Sequence, residues 1–126
     1  MVRKIKHWAV LVSLLVQLLF WSCATTARIG STIRPEKLVD GIYEGSFKGG
    51  LNSAKVRVTI KDRKIVAIEI LEHDTLKGKK AEPVIPKRII EKQSTRVDAV
   101  TGATNSSNVV MNAVQVAVEK AYSESR

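Results

Sequence analysis

Residues 98–104 read Asp-Ala-Val-Thr-Gly-Ala-Thr, and Asn105-Ser106-Ser107 follows directly. A carboxylate, several hydroxyls and a glycine thus stand just ahead of an apolar helix pattern over residues 108–122. A helix start presents unpaired backbone N–H groups and the positive end of the helix dipole, surroundings that favour a phosphate or another anion. Thr104 offers a hydroxyl nucleophile. Its acidity is too weak for unaided attack, so any reaction there needs a base or a metal ion. Gly102 lets the backbone turn and lets a bulky group come close. Ala103 keeps the segment narrow. Asp98 and Thr101 are loop formers whose side chains can bond nearby N–H groups. Ser106 or Ser107 can cap the helix or donate a hydroxyl to phosphate. Residues 101–104 taken alone read better as a plain loop and cap than as a site, and Asn105-Ser106-Ser107 fits an N-glycosylation acceptor, a short pattern with many chance matches.

The elements that position this segment follow from periodicity. Residues 42–47, with Gly45 thinning one face, read as a first strand, and Gly49-Gly50 and Asn52-Ser53 mark a turn. Residues 55–61 alternate strictly, with Val56, Val58 and Ile60 on one face and charges on the other, the pattern of a half-buried antiparallel strand. Asp62-Arg63-Lys64 makes the hairpin turn, and residues 65–72 return with Val66, Ile68 and Ile70 on one face. Residues 73–82 read as a loop. Pro83 and Pro86 bracket the start of a short helix over residues 87–93, where Ile89 and Ile90 face inward. Residues 94–104 return to loop. The last helix carries a stripe of Val109, Val110, Ala113, Val114, Ala117, Val118 and Ala121, too wide for a surface helix. The expected fold is α+β: a small antiparallel sheet of about three strands, packed on one face by a short helix and a longer C-terminal helix.

The chain has 126 residues, enough for one small domain behind a short leader. Arg3, Lys4 and Lys6 precede an apolar run over residues 8–24, the layout of an export signal or membrane anchor. The division is a signal peptide or anchor over residues 1–24, a linker over 25–39 and a domain over 40–122. Basic residues ahead of the run place the domain on the extracytoplasmic face of the cell membrane. Cys23, the single cysteine, lies between Ser22 and Ala24 and resembles a bacterial lipoprotein site; Phe20-Trp21 departs from that pattern and suits an uncleaved signal anchor. A lone cysteine forms no internal disulfide, so packing alone holds the domain. The formal charge is +9; beyond the leader 18 Lys and Arg face 12 Asp and Glu, which leaves +6. The basic residues alternate along strands and aromatics are few, which argues against nucleic acid and for a solvated surface with some attraction to anionic headgroups or a phosphate. One histidine in the domain, with no second His or Cys, provides no metal ligand set. His73 reads as a strand-ending residue bonded to backbone, with contact to a bound ligand as the alternative. Tyr43 and Phe47 read as core, with ring stacking as their alternative.

The pattern Asp-x-x-Thr-Gly-Ala-Thr resembles the flavinylation motif of FMN-binding domains, as in the C subunit of sodium-pumping NADH:quinone reductase and the G subunit of Rnf complexes. Asp-Gly-Ile-Tyr-Glu-Gly at residues 40–45, the hairpin over 56–72, His73, Ile85-Pro86, Ile89-Ile90 and Gln93-Ser94 also fall where that family places them. Arg63 stands where relatives often have Gly, and the Asp74-Thr75-Leu76-Lys77-Gly78-Lys79-Lys80 loop departs from the family's longer Glu-Thr-Pro-Gly version. The resemblance implies FMN joined to Thr104 by a phosphoester. Asp98, Thr101, Gly102, Ala103, Ser106 and Ser107 would surround it. It also implies an FAD:protein FMN transferase that acts with magnesium. The expected protein is a membrane-tethered flavoprotein, an electron-transfer carrier more than a stand-alone catalyst, working with membrane or periplasmic redox partners. The alternatives are a non-covalent FMN binder and a non-redox envelope binding module.

Overall fold

Alternation in the central strand sets the architecture. The structure, a computed structural model, describes residues 30–123. The export or anchor segment and Cys23 lie outside the described residues. β1 (Gly41–Gly49), β2 (Asn52–Lys61) and β3 (Lys64–Asp74) form one antiparallel sheet in the order β1-β2-β3. α1 (Ile85–Lys92) packs beside β3, and α2 (Thr104–Ser123) lies across β1 and β2. This is the expected α+β arrangement. Ala54, Val56, Val58 and Ile60 of β2 are buried, and so are Val110, Ala113, Val114, Ala117 and Val118 of α2 above them. Small residues on the helix let the two backbones come close, and burial of these apolar faces is the main favourable term in folding. On the outer face Arg57 bridges Glu44 at 3.0 Å and Glu69 at 3.3 Å, exposed pairs that add little stability.

β3 departs from simple alternation. The register slips between Thr59 and Ile60, so Ile65 is buried opposite Ile60 while Val66, expected inward, is 49% exposed. A second slip at Lys55/Val56 leaves Leu71 unpaired. Strict alternation from Ile70 would point Glu72 inward. The slip places His73 opposite Ala54 on the inner side instead. Bulges re-aim side chains in this way next to functional sites.

The β2–β3 turn is tight. Asp62 and Arg63 both have positive φ, +53° and +60°. Arg63, which lacks the freedom of glycine, is held there by Asp40. The Asp40 carboxylate accepts Arg63 N–H at 3.0 Å and Asp62 N–H at 2.9 Å. The bond from Arg63 N–H, then that from Asp62, draws the carboxyl below its usual pKa. A depressed folded-state pKa stabilises the fold above the unfolded carboxylate value, and that contribution disappears as pH falls through the folded one. Asp40→Asn should therefore lower Tm at neutral pH and reduce the loss of stability on acidification below the usual carboxylate range, as read by thermal melts across pH.

Residues 30–39, expected as irregular linker, pack onto the domain. Thr32 bridges Ser94, Ile33 and Leu38 are buried, and Arg34 N–H donates to Tyr122 Oη at 2.9 Å. Buried Thr95 accepts Ser31 N–H at 2.9 Å and donates to Gln115. α1 ends in a left-handed residue, Gln93, with φ +47°. The Gln93 side chain accepts Ile65 N–H at 2.9 Å and donates to Ile65 O at 2.9 Å and Ile90 O at 2.7 Å. It ties the helix end to the β3 edge. Gln93→Ala leaves these half-buried backbone groups unpaired and should cost about 2 kcal/mol in urea unfolding.

Candidate functional site

The segment ahead of α2 is shaped by a turn. Ala103 N–H donates to Val100 O at 2.9 Å, and Gly102 at the third position has φ +75°, as a type II turn requires. Arg88 of α1 fixes the approach to this turn by donating to Asp98 O at 2.6 Å. Ser107 locks it from the helix side. Its Oγ accepts Val100 N–H at 3.0 Å and donates to Ala103 O at 2.7 Å.

α2 begins at Thr104, four residues before the apolar pattern starts. Thr104 is thus the first helical residue rather than part of a loop. The sequence concealed this because the first turn is polar and carries no apolar period. Ala103 precedes the helix, and its carbonyl accepts Ser107 N–H at 2.8 Å. Alanine has no side-chain acceptor and is among the poorest residues at this position. Among the described residues the N–H groups of Thr104, Asn105 and Ser106 meet no acceptor. Thr104 and Asn105 are exposed. An uncapped helix start with exposed hydroxyl and amide groups suits an anion.

The two serines, expected to cap the helix or to donate a hydroxyl to phosphate, have partners within the protein. Ser107 is buried and holds the turn. Ser106 is buried and bonds His73 Nε2. His73 Nδ1 lies 2.9 Å from Glu82 Oε1. A carboxylate only accepts, so Nδ1 carries the proton and, in the neutral ring, Nε2 accepts from Ser106. The His73 side chain is 1% exposed. It bonds neither backbone nor open groove, contrary to both readings of it from the sequence. His73 and Glu82 instead close the base of the loop between them and join it to α2. Gly78 in that loop rests on Ser106, and an added Cβ would overlap the Ser106 side chain. Thr75 Oγ1 accepts Gly78 N–H at 2.9 Å, and Ala81 is fully buried. The loop is therefore clamped, not loose.

Between this loop, the β1–β2 turn and the start of α2 lies a groove of about 420 Å³ lined by Leu51, Leu76, Lys77, Gly102, Thr104 and Asn105, among others. That volume is in the range of small-molecule and cofactor sites, roughly 300–1,000 Å³. Lys80 comes across to Gly102, where an added Cβ would stand 2.7 Å from its Nζ. Among the described residues Lys77, Lys79 and Lys80 have no carboxylate partner. Of the predicted site residues, the groove collects Gly102, Ala103, Thr104 and Ser106. Asp98 and Thr101 lie outside it with exposed side chains, and neither side chain makes a hydrogen bond among the described residues. Tyr43 and Phe47 pack against the core. Leu51 and Lys80 carry no motif signal and emerge only from the fold.

The chain matches the FMN-binding domain family over residues 50–119, from the β1–β2 turn to near the end of α2. The stretch at residues 40–45 falls outside that match. The chain is also 32% identical over 93 residues to an uncharacterized protein of Treponema pallidum (strain Nichols), which covers 72% of the chain. It spans about a quarter, 26%, of that longer relative. A family match across more than half of the chain, taking in a groove that combines an open helix start with Lys77, makes this protein a member of the FMN-binding domain family with FMN as its cofactor.

Proposed function

We propose that this protein is an extracytoplasmic, membrane-tethered electron carrier whose FMN is esterified to Thr104. The observation that carries the reading is the position of Thr104. Its exposed hydroxyl opens α2 beside the groove, next to N–H groups that the fold leaves without acceptors. The groove suits the cofactor: its amide groups and Lys77, with Lys80 beside Gly102, favour a phosphate, and its volume accommodates a nucleotide-sized ligand. Bound FMN supplies electron transfer; the protein supplies position and electrostatics.

This chain's own residues do the holding. Thr104 Oγ provides the point of attachment, and the N–H groups of Thr104, Asn105 and Ser106 favour negative charge beside it. Lys80 adds a cation by Gly102. Ser107 and Arg88 fix the turn, so the hydroxyl is presented on a rigid support. No base of the chain lies within hydrogen-bond reach of Thr104 Oγ among the described residues. With an FAD:protein FMN transferase as partner, a group on that enzyme would take the proton while the Thr104 oxygen displaces AMP from the flavin phosphate of FAD, so one P–O bond forms and one breaks. A covalent bond retains the cofactor outside the cell, where a dissociated one would diffuse away. Residues 1–24, with Cys23 as lipidation site or as the end of a signal anchor, would hold the domain at the membrane.

The rival with the same cofactor binds it without a bond. Protein co-expressed with the transferase, denatured, washed and run on a gel should keep flavin fluorescence in its own band. Colour that washes out entirely would favour the non-covalent rival, and no flavin before or after denaturation would favour a non-redox binding module.

A further inference from the structure

We propose that Leu51 and Leu76 form an apolar clip that holds the isoalloxazine ring of the attached flavin. The inference rests on the reading of Thr104 as the attachment residue and goes beyond it by assigning the ring's subsite. Among the described residues four large hydrophobic side chains are exposed: Ile42, Leu51, Val66 and Leu76. Ile42 and Val66 sit on strands. Leu51 and Leu76 are the most exposed, at 84% and 86%, and both line the groove that contains Thr104.

Neither leucine is exposed because its backbone is loose. Leu51 sits in a two-residue turn closed by the Gly49–Asn52 pair, with Gly50 at φ +61°. Leu76 lies in the loop that His73, Glu82, Thr75 and Gly78 clamp against Ser106. Two rigid supports thus hold two large apolar side chains in water on one groove. Two exposed apolar side chains on one groove offer a surface whose burial by a ligand is favourable. The occupant is planar, largely apolar and tethered at Thr104, which matches the flavin ring. Leucine offers no hydrogen bond to the ring, so the clip orients by contact alone and leaves the exposed edge open to a redox partner.

The test uses the full chain loaded by the transferase. Leu51→Ser/Leu76→Ser is compared with wild type and with Ile42→Ser/Val66→Ser as a control for exposed apolar residues elsewhere. Intact mass reports attachment; fluorescence anisotropy and iodide quenching of the flavin report whether the ring is held. Removal of most of the clip's apolar contact should lower the ratio of held to free ring about tenfold. The clip variant should therefore carry a full flavin mass with lower anisotropy and stronger quenching, while the control matches wild type. Full mass with unchanged anisotropy and quenching would overturn the clip and leave Thr104 attachment standing. Loss of the flavin mass in the clip variant alone would also overturn it, because the leucines would then serve the transferase. A wild-type chain without flavin mass would remove the reading beneath it.

Discussion

Thr104→Ala, co-expressed with the transferase, should emerge without covalent flavin and with its fold unchanged. The loss should be complete, since the neighbouring hydroxyls cannot substitute. Ser106 is buried against His73 and Ser107 is buried in the turn, bonded to Val100 and Ala103. Thr101 is exposed but stands outside the groove, on the far side of the Gly102 turn. Stability should change by no more than about 0.5 kcal/mol, the usual range for an exposed residue without special contacts. Thr104→Ser, which keeps the hydroxyl, should still be modified. Flavin fluorescence in the denatured Thr104→Ala band would move the attachment elsewhere.

Gly45→Ala should have the largest effect on stability. Gly45 is buried in β1, paired with Val56 and directly beneath α2. A Cβ there would overlap the Ala113 carbonyl oxygen and stand 2.6 Å from Ala117 N. Both are backbone atoms of a helix, so no side chain can swing away. The helix must lift from the sheet, and with it go the contacts of Val110, Val114 and Val118. We expect a loss of about 3 kcal/mol or more, at the upper end for overpacking, read as a lowered urea midpoint. Displacement of α2 would also disturb its first residue, Thr104. A near-wild-type midpoint would mean that the helix does not rest on this strand.

The sheet and the long helix were legible because burial writes a period into the sequence. Val56, Val58 and Ile60 alternate, and the Ala/Val stripe of α2 names its own packed face. Gly45 thins one face of its strand in the sequence, and the helix resting on it supplies the reason. The start of α2 was not legible, because its first turn is polar and an alanine takes the position of a cap. The phase of β3 was hidden by two register slips, which a local pattern does not encode. Those slips decide that Ile65 rather than Val66 is buried and that His73 points inward. The glycine and threonine of the motif were visible as chemistry before any fold was known. Their surroundings were not. Leu51, Lys80 and the His73–Glu82–Ser106 link depend on contacts between residues more than twenty apart in sequence or on loops without a period. The serines show the same limit from the other side: their type suggested capping, and the tertiary structure assigned them to His73 and to the turn.

The most direct test is intact mass of the wild-type chain after co-expression with the transferase, followed by tryptic mapping. Cleavage after Arg96 and Lys120 isolates peptide 97–120, which contains Thr104. The expected increment is one FMN less one water, AMP being the other product from FAD, with the whole increment on this peptide and fragment ions that locate it at Thr104. A polypeptide with no increment beyond any lipid at Cys23, or an increment on another peptide, would contradict it.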